Sequence, residues 1–413
     1  MIETLTLAKV RQHFPRPQVE EVSSEITQQM KRLSGHIRPS MSVAITAGSR
    51  GISNIAPVLQ TIVRTLRNMG AEPFIVSAMG SHGSGTVKGQ ESILHNLGIT
   101  QDVVGAPLKI TSDAVEIGTT PSGHILYIDS EAMKADGILL VNRVKPHTAL
   151  GDNMASGLFK MLTVGLGKVP GAIQVHRLGA SGIYQAILEM TQLALKKVPV
   201  IGGLAIVENG YMETAKVELF LPEEMDEGER KLLKLASSLL PGLPVLELDL
   251  LIVEEMGKNY SGTGMDTHVI GRWKIPGFPE PELPKIGRIV VLRLSHASEG
   301  NANGIGLADF TTYKLIQSID WNTTLTNVST TGFWRRVFCP PFLDSDREAI
   351  AWALESLQFP PHTTISVARI RNTLQLDELW LSPAALNAAM RCEQIGPFQP
   401  LEFNHEGELK PAE

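Results

Sequence analysis

The strongest constraint on the fold is a pattern that occurs twice in succession: a short apolar run, a glycine-rich loop, then an amphipathic helix. Residues 43–47 (VAITA) stop at Gly48-Ser49-Arg50-Gly51, after which Ile55, Leu59, Ile62, Val63, Leu66 and Met69 recur at helical spacing. Ser53 or Asn54 serves as the cap, Pro57 falls in the first turn and Gly70 closes the helix. Residues 73–79 (PFIVSAM) then lead into Gly80-Ser81-His82-Gly83-Ser84-Gly85 and a helix near 87–97. Strand, loop and helix in series specify a parallel α/β sheet, because parallel neighbours need a crossover connection. Both glycine loops then fall at the carboxyl ends of strands, where the ligands of such sheets collect.

Further apolar runs at 137–141 (GILLV), 200–207 and 246–253 read as strands, and 181–197 as a long amphipathic helix. Between them lies a stretch of small residues, 148–171, and an acidic segment, 222–230, that reads as the start of a solvated helix. At 413 residues the chain is too long for one ordinary core. Residues 276–284 (PGFPEPELP) carry four prolines, which continue neither helix nor central strand, so they read as a semi-rigid linker. The expectation is two α/β domains with Rossmann-like parallel sheets: an N-terminal cofactor-binding domain, 1–275, and a C-terminal α/β domain, 285–413, opened by the strand 288–292 (RIVVL). The active site is expected in the cleft between them.

A net charge of −6 argues against nucleic acid or an anionic membrane as partner. No apolar stretch approaches the roughly 20 residues needed to span a bilayer. With two cysteines, Cys339 and Cys392, there is neither a disulfide framework nor a cysteine-rich zinc site, and a cytoplasmic location is expected.

Three of the eleven histidines stand in unusual surroundings. His82 lies in a Gly/Ser loop directly after a strand, His147 follows Lys-Pro directly after another, and His176 closes the small-residue stretch. Imidazole titrates near neutral pH, so a histidine at a strand end can give or take a proton. Lys160 sits in an apolar helical stretch, Ala155-Ser156-Gly157-Leu158-Phe159-Lys160-Met161-Leu162. Such a lysine either snorkels to water or is a desolvated amine that serves as a nucleophile or attachment point.

The order of these segments resembles the nickel-dependent lactate racemase family (LarA-type): an arginine loop, a Gly-Ser-His loop, a Pro-His segment, a Ser-Gly-x-x-Lys lysine and a later histidine. Here these are Arg50, His82, His147, Lys160 and His176, and the resemblance covers residues 40–180 firmly. It implies a nickel-pincer nucleotide tethered covalently to Lys160, with His176 completing the metal's square plane. It further implies His82 and His147 as acid/base residues for racemising or epimerising a small-molecule 2-hydroxy acid, with Arg50 on the substrate carboxylate. Enzymes that make the cofactor would be partners. The cofactor phosphate needs an anion site, for which the two glycine loops, with Ser49, Gly80 and Ser81, are candidates, assisted by Lys168. The family's later carboxylate-binding lysine has no clear counterpart, and Lys258 or Arg272 are the nearest substitutes. The sequence departs from the family at Ser49-Arg50-Gly51 and Gly157-Leu158, and in a longer segment between His147 and Lys160. Two alternatives stand beside this reading: a non-catalytic relative that binds a nucleotide or metal, and a pyridoxal-phosphate enzyme using Lys160. Oligomeric state is left open.

Overall fold

In the computed structural model, which describes residues 2–49, 51–148, 155–360 and 363–411, the chain forms two compact units, 15–240 and 1–14 with 241–413. Strand β1 (Thr6–Gln12) opens the chain but pairs inside the second unit.

Unit 15–240 is built on a five-stranded sheet. Its strands are β2 (Ser42–Ala47), β3 (Glu72–Ser77), β4 (Gly137–Arg143), β5 (Val200–Glu208) and β6 (Thr214–Phe220), in the spatial order β6-β5-β4-β2-β3. All neighbours are parallel except β5 and β6, which form an antiparallel edge pair. The longer helices of the unit are α1 (Val22–Met30), α2 (Ile55–Asn68), α3 (Val87–Asn96), α4 (Lys168–His176), α5 (Gly179–Lys197) and α6 (Met225–Ser238), of which α2 to α5 lie in the crossovers between parallel strands. The apolar stripe read on α2 is buried as expected: Leu59, Ile62 and Leu66 pack with Val43, Ile45, Ile75, Leu139 and Leu204 in one core. At about 25 cal/mol per Å2 of apolar surface, burial on this scale is what offsets the chain entropy of the unit.

The second unit holds an eight-stranded sheet. To β1 it adds β7 (Glu247–Met256), β8 (Lys285–Leu294), β9 (Phe310–Thr312), β10 (Phe342–Leu343), β11 (Val367–Ile370), β12 (Glu378–Leu381) and β13 (Cys392–Pro400). Their order is β10-β9-β8-β7-β11-β12-β1-β13. Alternate residues of β7 enter two different cores, Leu251 and Val253 on one face, Leu250 and Ile252 on the other, so both faces are covered.

This corrects the expected boundary. The proline-rich segment 276–284 joins β7 to β8, which pair in parallel over their whole length, so it is a connection within one sheet. The division falls instead at 240/241, and the N-terminal strand crosses back to the second unit. No helix among the described residues is long and apolar enough to cross a membrane.

Candidate functional site

The adjacent parallel strands β4, β2 and β3 end side by side, and each is followed by one of the loops singled out in the sequence. Parallel register places their carboxyl ends together, which is why residues distant in sequence meet. After β2 comes Ser49, whose Oγ is hydrogen-bonded to Nδ1 of His82 from the loop after β3. The His82 loop is held by its own backbone: Gly80, Gly83, Ser84 and Gly85 all have positive φ. Gly83 packs so closely on the first turn of α3 that a Cβ would stand 2.6 Å from the carbonyl carbon of Gly89. Gln90 on α3 is buried and donates to the carbonyls of Gly80 (3.1 Å) and His82 (3.3 Å).

After β4 the chain forms a two-residue antiparallel ladder, Lys145–Pro146 with Ala155–Ser156. Folding back in this way converts the sequence distance between His147 and Lys160 into contact, with Lys160 Nζ 2.7 Å from His147 Nε2. Amine and imidazole at that distance share one proton, so one of the two accepts as a neutral base. Lys160 ends a short helical turn, Leu158–Lys160, which continues as a π-helix, Met161–Gly165, a geometry that recurs at functional sites. The carbonyl of Gly165 accepts from the amide of Gly80 at 3.0 Å, tying this segment to the His82 loop.

His176 closes α4. Its Nδ1 is buried and has no hydrogen-bond partner among the described residues. Burial, reinforced by the Lys160 amine, pushes the imidazole down to about 4. It is therefore neutral at ordinary pH and keeps a lone pair, the state a metal ligand requires. Among the described residues no group of three or more His, Cys, Asp or Glu side chains is placed to hold a metal ion. A metal held through His176 would thus need its other donors from a group that the protein binds. The neutral imidazole, its orphaned nitrogen and the nearby amine fit such a group.

Several expectations change here. Lys168 is turned inward, 1% exposed, and pairs with Asp129 at 2.7 Å while donating to Ser77 O and Ser77 Oγ at 2.6 and 2.8 Å. Burial lowers its amine and raises the Asp129 carboxyl, and their mutual attraction opposes both shifts. It is a structural lysine and is not available to a phosphate. Gly80 likewise spends its amide on Gly165 and is a packing residue, which leaves Ser49 and Ser81 of the phosphate candidates. Arg50 lies outside the described residues, as does His362.

In the second unit, Arg272 pairs with Asp309 at 2.7 Å and donates to the carbonyls of Leu307, Ile286 and Gly287. A guanidinium so occupied is a loop clamp and not a carboxylate receptor. Lys258 follows β7, the strand from which the sheet order runs in both directions, and its amine donates to Gly262 O (2.6 Å) and Asn327 Oδ1 (2.7 Å).

One residue was missed. Glu229 falls in the segment read as a solvated helix start, yet it is buried and accepts from the amides of Leu158 and Phe159. Burial raises its carboxyl to about 7. A signal was present: Met225, Glu229, Leu232 and Ala236 recur on one helical face, and all four are buried.

Residues 8–179 match the family model of the lactate racemase N-terminal domain. That span contains Ser49, His82, His147, Lys160 and His176 and stops short of Lys258 and Arg272. Among solved structures, the lactate racemase apoprotein from Thermoanaerobacterium thermosaccharolyticum is similar in fold, with a TM-score of 0.53 at 12% identity. The likeness covers 90% of this chain and 99% of that one. No curated protein matches the chain in sequence.

Proposed function

We propose, from the premise that the chain belongs to the lactate racemase (LarA-type) family, that it racemises or epimerises a 2-hydroxy acid with a nickel-pincer nucleotide attached to Lys160. The observation that carries the proposal is the contact of Lys160 with His147, beside the buried neutral His176. Lys160 would hold the nucleotide covalently, and His176 would give the metal its protein ligand. When bound, the group supplies a reversible acceptor for the α-hydrogen of the substrate.

The side chains of the chain then have defined tasks. Inversion needs a base for the hydroxyl proton of each enantiomer, and the planar keto acid between them can be reduced on either face. His82 is one base; Ser49 occupies its Nδ1, so proton exchange falls to Nε2. His147 is the other, acting at the Nε2 that faces Lys160. With the nucleotide attached, the Lys160 nitrogen would be amide-like and non-basic, so it would not compete with His147 for that proton. Arg50 would receive the substrate carboxylate, since a guanidinium matches its two oxygens.

The test is turnover by protein co-expressed with the cofactor-making enzymes, on a panel of short 2-hydroxy acids deuterated at the α-carbon, followed by chiral chromatography in ordinary water. Interconversion with the deuterium retained supports the proposal. Loss of deuterium to solvent, or no interconversion by loaded protein, counts against it.

A further inference from the structure

Glu229, only 6% exposed on α6, places its Oε2 against the backbone amides of Leu158 and Phe159, the latter at 3.3 Å. These amides begin the turn that presents Lys160, and first-turn amides have no acceptor within their own helix. A carboxyl there meets both the unsatisfied N–H groups and the positive end of the helix. The approach is close: a Cβ at position 157 would stand 2.5 Å from Glu229 Oε2, so a side chain there would push the carboxyl away from the two amides. From the other side, Asn142 at the end of β4 donates its Nδ2 to the Gly157 carbonyl at 2.8 Å. The peptide ahead of Lys160 is thus gripped by a strand end and by a helix. Downstream the chain passes into the π-helix Met161–Gly165, whose far end is tied to the His82 loop through the Gly165 carbonyl.

We infer that Glu229 is a positioning residue for Lys160: its carboxyl sets the turn from which the amine reaches His147. The inference rests on the reading of Lys160 as the attachment point, but its geometry belongs to the protein alone. It gives a buried acidic residue, distant in sequence, a task in cofactor attachment.

The experiment uses the protein without cofactor. Formaldehyde and a borane reductant methylate lysines, and mass spectrometry of peptides follows Lys160 against the exposed Lys134. In Glu229→Leu, Lys160 is expected to react at least about fivefold faster relative to Lys134, because local opening exposes the amine. Glu229→Gln keeps an acceptor oxygen and should stay within about twofold of wild type. Gly157→Ala, which displaces the carboxyl without removing it, should resemble Glu229→Leu and decides the matter if that variant does not fold. Hydrogen exchange should quicken at residues 158–165 in the same variants. Equal Lys160 reactivity in all four proteins, or Gln behaving like Leu, overturns the inference. An unmodified Lys160 in cofactor-loaded preparations would instead overturn the proposed function and leave these rates standing.

Discussion

Lys168, the first residue of the helix that ends in His176, pairs with Asp129 at 2.7 Å with both side chains withdrawn from water. The carboxylate is otherwise satisfied, since its Oδ1 accepts from the amides of Glu131 and Ala132. Removing one member of such a pair leaves a buried charge without compensation, at a cost of about 3–5 kcal/mol. Lys168→Met should therefore lose stability on that scale in urea denaturation, and Lys168→Met with Asp129→Leu should regain much of it. A loss of phosphate or nucleotide affinity in the single variant, with stability unchanged, would restore Lys168 to the binding site.

Ser49 orients His82 through Nδ1. Ser49→Ala should lower kcat of the loaded enzyme roughly tenfold with little change in KM, because the lost contact serves proton transfer more than substrate binding. Steady-state kinetics in both directions check this, and Ser49→Thr should keep most of the rate.

The buried Glu229 makes stability depend on pH. Its carboxyl lies at about 7 in the folded protein against 4.5 for the free group. Because the folded state holds the proton more tightly, the stabilisation is complete below pH 4.5 and is lost as pH rises through 7. At about 1.4 kcal/mol per unit the loss is on the order of 3 kcal/mol. Glu229→Gln should flatten this part of the profile, so that the variant gains on wild type between pH 5 and 8 in thermal unfolding. Parallel profiles for the two proteins would show that the carboxyl titrates elsewhere.

Arg272 gives the opposite test, of a residue assigned to structure. With its ion pair to Asp309 and three carbonyl contacts, Arg272→Met should cost roughly 2–4 kcal/mol. KM of whatever loaded enzyme survives should be unaltered. A raised KM with normal stability would make Arg272 a substrate ligand after all.

What could be read in the sequence follows from where the information is local. Parallel strands covered on both faces are continuous apolar runs, so β2, β3 and β4 stand out, and with them the loops that carry Ser49, His82 and His147. The glycines of the His82 loop mark themselves, because Gly80, Gly83 and Gly85 have positive φ and Gly83 packs against the backbone of α3. Lys168 and Glu229 were misplaced for the opposite reason. A charged residue reads as solvated unless its partner is known, and their partners, Asp129 and the amides after Gly157, lie far away in sequence. The domain boundary failed similarly. Four prolines at 276–284 advertise a break, but β7 and β8 pair across them, while the division at 240/241 carries only the weaker mark of Pro241 and Pro244. Nothing local records that Thr6–Gln12 pairs with strands near the far end of the chain.

The central claim is that Lys160 carries a nickel-binding nucleotide. It is tested most directly by intact mass and nickel content of protein co-expressed with the cofactor-making enzymes, with the site of modification mapped by peptide sequencing. The account predicts a covalent adduct on Lys160 and near-stoichiometric nickel, with the metal lost and the adduct kept in His176→Ala. An unmodified Lys160 and no nickel under those conditions would contradict it.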